Sequence, residues 1–270
     1  MPLPSPAEIA HVDLADRVVL ITGASGGLGR TLALACAARG ATVVLHGRVV
    51  RKLEALYDEI VSAGHSQPTI LPLDFAIAGE DAFGNVAGSL HAQLGRLDAL
   101  VHTAAFLGSL GPLEHQAFDA WQKAYAVNVG AAMALTRACL PLLARAADAS
   151  VVFTLDTRAI DPHAYWGAYA ATKAAVAALA ATLADESENR ANLRINAVIP
   201  GPMRSPLRML THPGEDLAAL ASPEAIVPLY LYLIAGQPKS ESGVRIDARA
   251  WLAGQRAATS LLSGSDAERP

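Results

Sequence analysis

Val18-Val-Leu-Ile-Thr-Gly-Ala-Ser-Gly-Gly-Leu-Gly29 decides the reading of this chain. Five apolar or β-branched residues run into a glycine-spaced loop, and an apolar helical pattern over Gly27–Arg39 follows. The order is strand, loop, helix. Glycines there let the backbone approach a phosphate, and the helix N-terminus offers free N–H donors and the positive end of a dipole. About twenty residues on, a second apolar run, Thr42–His46, ends in Gly47-Arg48. A carboxylate at that place binds the ribose 2′-OH of NAD; an arginine suits the 2′-phosphate of NADP.

Outward from this segment, strand-like and helix-like stretches alternate. Val18–Thr22, Thr42–His46, Thr69–Leu73, Leu97–His102, Val151–Leu155 and Leu193–Ile199 are short and nearly continuously apolar, as strands buried on both faces are. Gly243–Ile246 is a seventh candidate. Helical patterns cover Gly27–Arg39, Arg51–Ala63, Asp81–Leu94, Gln116–Ala146 and Ala168–Glu188, and Pro141 predicts a kink or an earlier stop in the fourth. The alternation predicts an α/β fold, a single doubly wound parallel sheet of Rossmann type with helices on both faces. The expected division is an extension over 1–13, one domain over 14–250 with a flap at about 202–222, and a tail over 251–270, frayed from Ser263 to Pro270.

The composition limits what such a domain can do. The 270 residues are 52% hydrophobic and 17% charged, enough for a sizeable core. Net charge is −4 without a basic block, which argues against nucleic acid as a partner. Cys36 and Cys139 lie inside apolar helical patterns and read as buried thiols of a reducing compartment. The N-terminal Met1-Pro-Leu-Pro-Ser-Pro6 lacks the features of a secretory signal, and the apolar run Ala174–Ala184 falls short of the roughly 20 residues that cross a bilayer. A cytoplasmic protein with no membrane partner is expected. The eight histidines show no metal spacing, so no metal is expected; His46 and His102 end two strands at the expected cofactor edge.

Tyr169-Ala-Ala-Thr-Lys173 carries the second signal. Residues four apart share a helix face, so the ammonium lies near the phenol. A nearby positive charge favours the phenolate over a phenol that otherwise titrates near 10. Such a pair can exchange a proton with an alcohol oxygen while a hydride moves on the adjacent carbon. Alone the spacing also suits an ordinary surface helix pair; behind a glycine loop it gains weight.

With both motifs in this order, the chain resembles the short-chain dehydrogenase/reductase family over roughly residues 14 to 250, through Thr22–Gly29, Asp74, Asn128, Tyr169, Lys173 and Pro200-Gly201. Trp166–Lys173 and Val227–Leu233 are similar to a bacterial branch of uncharacterised oxidoreductases. The resemblance implies that Tyr169 is the acid/base, that Lys173 lowers its pKa and holds the nicotinamide ribose, and that Asn128 holds a water leading from the lysine to solvent. It also implies cofactor contacts from Gly23, Ser25, Gly26, Gly27, Leu28, Gly29, Arg48, Asp74, Ala104, Pro200, Gly201 and Ser205. Ser25 and Arg48 would hold the 2′-phosphate, Asp74 the adenine. The implied partner is a small-molecule carbonyl or alcohol, and the implied assembly a homo-dimer or homo-tetramer through the small apolar face of Ala168–Leu183.

Four positions depart from the family pattern. Asp156 stands where the family has a serine, thirteen residues before the tyrosine. An ionised carboxylate about 5 Å from the phenol costs the phenolate roughly 3 kcal/mol at an effective dielectric near 20, about two pKa units upward. It also repels a developing alkoxide. Protonation by burial, or pairing with Arg158 or a cationic substrate group, would relieve this. Thr157 and Thr154 are the neighbouring hydroxyls: Thr157 points to the opposite strand face and replaces the serine only if the backbone turns there, and Thr154 lies on the same face but deeper. Thr103 and Ala105 replace an asparagine and a glycine, which weakens the expected tie between strands and adds a methyl near the cofactor. Ser205 replaces a threonine and keeps the hydroxyl. The expectation is an NADP(H)-dependent oxidoreductase acting on a carbonyl/alcohol pair, with Asp156 among its catalytic residues. The alternative is a catalytically weakened dinucleotide-binding protein, a sensor or scaffold.

Overall fold

The computed structural model describes residues 3–6, 8–9, 11–236, 241–255 and 257–261. Among them, eight strands make one sheet: β1 Val18–Thr22, β2 Thr42–Gly47, β3 Thr69–Pro72, β4 Ala99–His102, β5 Ala149–Thr154, β6 Leu193–Ile199, β7 Val244–Asp247 and β8 Ala258–Ser260. Their order is β3-β2-β1-β4-β5-β6-β7-β8, parallel except for the antiparallel β7–β8 pair. The chain winds outward from β1 to β3, then crosses back to β4 on the other side. The crevice between β1 and β4 is therefore the switch point where α/β sheets take ligands.

The apolar strand runs follow from burial on both faces. Val19 and Ile21 of β1 belong to one core, Val18 and Leu20 to the other. The first core holds α1 Gly27–Ala37, α2 Val50–Ser62 and α8 Val227–Ala235 against the sheet. The second holds α3 Glu80–Leu94, α5 Ala131–Leu143 and α6 Gly167–Glu186. These two layers, with α4 Phe118–Tyr125, α7 Pro206–Thr211 and α9 Ala248–Leu252, hold the α-helices among the described residues. Helix α8 (Val-Pro-Leu-Tyr-Leu-Tyr-Leu-Ile-Ala) is apolar along its length because all of its residues but Pro228 are buried.

Several sequence expectations need correction. The fourth helical pattern is not one regular helix: α4 and α5 are joined by a wide turn over Ala126–Gly130, where the Ala131 N–H bonds five residues back to Ala126 O. Pro141 does not stop α5, which runs on to Leu143. The boundary at residue 250 falls within α9, and β8 extends the sheet beyond it. The N-terminal segment packs back on this end: Ile9 is buried and Trp251 Nε1 donates to Pro4 O at 2.8 Å. Residues 263–270 lie outside the described residues. Phe118–Leu143 and α6 are long and apolar enough to cross a membrane, but half and 44% of their apolar windows are buried inside the protein, as in core helices.

Candidate active site

The carboxyl ends of β1, β4 and β5 converge on α6. Thr22, His102 and Thr154 end those strands, and with Ala104, Asn128 and Lys173 they line one small cavity.

The glycine loop is built by backbone packing. Gly23 has φ 68°, and a Cβ there would stand 2.8 Å from Ala104 Cα. A Cβ on Gly29 would run into Gly23 O and lie 2.7 Å from Thr103 Oγ1. No side chain caps α1 at Gly26, so its first-turn N–H groups have no side-chain partner there. That donor set, at a helix N-terminus behind a close-packed glycine turn, fits a dinucleotide pyrophosphate. The segment after β6 lies over the same turn: a Cβ on Gly27 would meet Pro206 Cδ at 3.4 Å and Ser205 Cβ at 3.5 Å. Ser205 Oγ accepts from Arg208 N at 3.1 Å and so caps α7. Leu28 packs on the first core, and Pro200-Gly201 follows β6 with Gly201 at φ 73°.

The 2′-phosphate candidates meet at the end of β2. Gly47 leaves room for Ser25, whose Oγ would lie 3.4 Å from a Cβ at Gly47. Arg48 is exposed, with no ion-pair partner among the described residues. Asp74 turns the chain after β3, its Oδ1 accepting from Ala76 N at 3.0 Å. His46 joins these parts. Its Nε2 bonds Leu73 O at 3.1 Å, its Nδ1 accepts from Gly23 N at 3.4 Å, and its ring stacks on Phe75 at 4.1 Å. Burial holds it down to about 4, against weaker upward pulls from the Leu73 carbonyl and Asp74. His102, held at about 3 mainly by burial, bonds Thr136 Oγ1 at 2.8 Å. The expected loosening at Thr103 does not occur. Thr103 Oγ1 donates to Thr22 O, and Thr22 Oγ1 accepts from Thr103 N and Ala104 N, both at 3.1 Å.

At the catalytic end Tyr169 donates to Asp156 Oδ2 at 3.2 Å. Asp156 Oδ1 accepts from Arg158 N at 2.9 Å and so caps the 3-10 turn Thr157–Ala159. Burial first, then the Asp156 charge and hydrogen bond, push the Tyr169 phenol well above its ordinary value. The phenol is raised, against the lowering expected from Lys173. Its Nζ lies 5.8 Å from the Tyr169 ring centroid and donates to Thr154 O at 2.9 Å. Burial brings Lys173 down to about 8, with Asp156 pulling it the other way. The Arg158 guanidinium does not pair with Asp156. It sits 5.2 Å above the Trp166 ring and donates to Asp161 O at 3.1 Å. Thr154 does not replace the serine, since its Oγ1 bonds Tyr230 OH at 3.0 Å; the backbone turns at Thr157, which opens the 3-10 helix.

Asn128 lies in the wide turn, a distortion frequent at functional sites. Its Oδ1 accepts from Phe106 N at 2.7 Å; its Nδ2 donates to Phe106 O and Thr172 Oγ1, both at 2.9 Å. The side-chain amide thus ties the wide turn to the Phe106 main chain and to Thr172 on α6. The sequence reading missed the roles of Thr172, Gln116 and Trp166. Thr172 lies three residues after Tyr169, a helical spacing that signals a shared face. Gln116, whose Oε1 accepts from Ala168 N at 3.3 Å near the start of α6, had no signal.

Fold and site together define an oxidoreductase scaffold of one kind. The short chain dehydrogenase family model matches residues 17–216, and the chain belongs to that family. Among its relatives is the uncharacterised oxidoreductase YciK of Escherichia coli K12, 38% identical over 236 residues that cover 87% of this chain and 93% of that protein. A short chain dehydrogenase from Shigella flexneri 2a, crystallised with NADP, superposes with a TM-score of 0.85 at 37% identity, covering 88% of this chain and 99% of its own. One from Escherichia coli CFT073, complexed with NADPH, does so with the same TM-score, identity and coverage.

Proposed function

We propose that the protein is an NADP(H)-dependent oxidoreductase that transfers a hydride between nicotinamide and a small-molecule carbonyl/alcohol pair. The carrying observation is the convergence of the β1, β4 and β5 ends with Lys173 and Asn128 on one cavity, with the glycine loop beside it. The first turn of α1 would take the pyrophosphate. Arg48 and Ser25 would take the 2′-phosphate, and Asp74 the adenine. Ala104, Pro200-Gly201 and Ser205 would border the nicotinamide half. The NADP and NADPH complexes of the two similar proteins support the phosphorylated cofactor. When bound, that cofactor supplies or accepts the hydride.

Tyr169 in its protonated form is a proton donor, which favours reduction over oxidation at neutral pH. Lys173 would orient the ribose from its anchor on Thr154 O. Two buried free thiols, Cys36 and Cys139, fit a reducing cytoplasmic compartment. The small exposed residues of α6, Ala174 and Ala178, would let a second copy approach closely in a homo-dimer or tetramer. Calorimetric titration tests the cofactor assignment: NADPH should bind at least about tenfold tighter than NADH. Equal affinities would sink it. The second reading, a weakened dinucleotide-binding sensor or scaffold, draws on the Asp156–Tyr169 bond. It requires cofactor binding without turnover of any carbonyl substrate.

A further inference from the structure

Asp156 is more than a missing serine. One carboxylate oxygen faces the hydroxyl that must contact the reacting atom; the other is bound by the Arg158 main chain. The nearby cations are committed elsewhere, Arg158 to Trp166 and Asp161, Lys173 to Thr154 O. Among the described residues, no salt bridge to Asp156 forms. Reduction of a ketone places growing negative charge on an oxygen in this position, against the carboxylate. Reduction of a protonated imine begins with a cation and ends neutral. There the carboxylate keeps the nitrogen protonated and the adjacent carbon electrophilic.

We infer that the substrate is a protonated carbon–nitrogen double bond, reduced to an amine with Asp156 holding the nitrogen. The inference rests on the cofactor reading above and puts a C=N/amine pair in place of the carbonyl/alcohol pair. The balanced step adds a hydride from the reduced nicotinamide dinucleotide phosphate to the substrate carbon. A C–H bond forms, the C=N π pair moves onto nitrogen, and the nicotinamide is left oxidised. The proton on nitrogen arrives with the substrate, so Tyr169 keeps its own. Trp166 stands 5.8 Å from Tyr169 between ring centroids and gives this end of the site an apolar, aromatic side.

The test compares dihydroisoquinoline with the similarly shaped ketone β-tetralone, using NADPH and wild-type or Asp156→Ser protein. The wild type should prefer the imine by about tenfold or more in kcat/KM, and Asp156→Ser should shift the preference toward the ketone. Independently of turnover, tetrahydroisoquinoline, an ammonium ion near neutral pH, is titrated into NADP-loaded protein by calorimetry. Its binding should weaken about fivefold or more in Asp156→Ser, while cofactor affinity stays unchanged. A ketone preference in the wild type, or equal amine binding by both proteins, overturns the inference. If neither probe is turned over, the amine titration decides alone. Failure of NADPH to bind the wild type would instead bring down the cofactor reading itself; cofactor binding without amine discrimination removes only the substrate class.

Discussion

The nucleotide end and the catalytic end of the crevice respond differently to substitution. At the nucleotide end the contacts are mostly main chain. Gly23 and Gly29 pack against Ala104 and Thr103, and the threonine at 103 is absorbed because its hydroxyl still reaches Thr22. At the catalytic end three side-chain polar atoms set the chemistry, and one carboxylate changes the protonation of its neighbour. A site made of backbone tolerates a change of side chain. A site made of side chains registers each one.

The sharpest way to break this contrast is to remove one atom. With a carbonyl substrate, Tyr169→Phe should lower turnover by about 10²–10⁴-fold, the usual worth of a positioned acid; with a protonated imine, which brings its own proton, the loss should stay under about tenfold. The thermal stabilisation by NADPH should remain, since the glycine loop is untouched. Loss of cofactor binding in this variant would mean that the two ends are not separable. The next largest effect is expected from Asp156→Ser. Removing the carboxylate takes away a charge and a hydrogen bond that hold the phenol protonated. The Tyr169 phenolate, followed as the difference from Tyr169→Phe, should then appear at lower pH than in the wild type. No shift would leave burial alone as the cause.

The contrast also explains what was legible in the sequence. β1 and β6 were readable to the residue because strands buried on both faces are continuous apolar runs. β8 was not, since Ala258-Thr-Ser260 is three residues at a sheet edge, with no apolar signature. The wide turn at Ala126–Gly130 kept a helical pattern in sequence; its five-residue bonding shows only in the folded chain, where Asn128 reaches the Phe106 main chain. Asp156 was visible beside Tyr169 through the family spacing. The turn of Arg158 toward Trp166 was not, because the 3-10 turn redirects residues 157–159 and Trp166 arrives from a later loop. The i, i+4 pair put Lys173 on the right face, but its anchor on Thr154 O is a tertiary contact.

Arg48 sharpens the comparison from the nucleotide side, where a single side chain is asked to discriminate. It is exposed and adjoins the Gly47–Ser25 contact. Arg48→Ala should weaken NADPH about tenfold and leave NADH nearly unchanged, as expected when one charge-assisted partner of a phosphate is lost. Stability should stay within about 0.5 kcal/mol of wild type, since the side chain is solvated. An equal loss for both cofactors would assign Arg48 to the general shape of the loop.

His46 gives the smallest effect and tests whether side chains matter to the glycine loop at all. Its Nδ1 accepts from Gly23 N, so the folded loop requires that nitrogen unprotonated. Burial holds the ring at about 4 in the folded chain against an ordinary value of 6.5. Between those two values the unfolded chain binds a proton that the folded chain refuses. Stability therefore rises with pH across the window and is lost on acidification. From pH 6.5 to 5.5 this group accounts for about 1 kcal/mol. His102, held at about 3, adds a loss of the same sign, so the wild type should be visibly acid-sensitive. Urea melts of His46→Leu over that interval should show an acid loss smaller by about 1 kcal/mol, with the His102 share retained. An unchanged acid loss would show that His46 is not held neutral, and the loop would then owe its shape to the main chain alone.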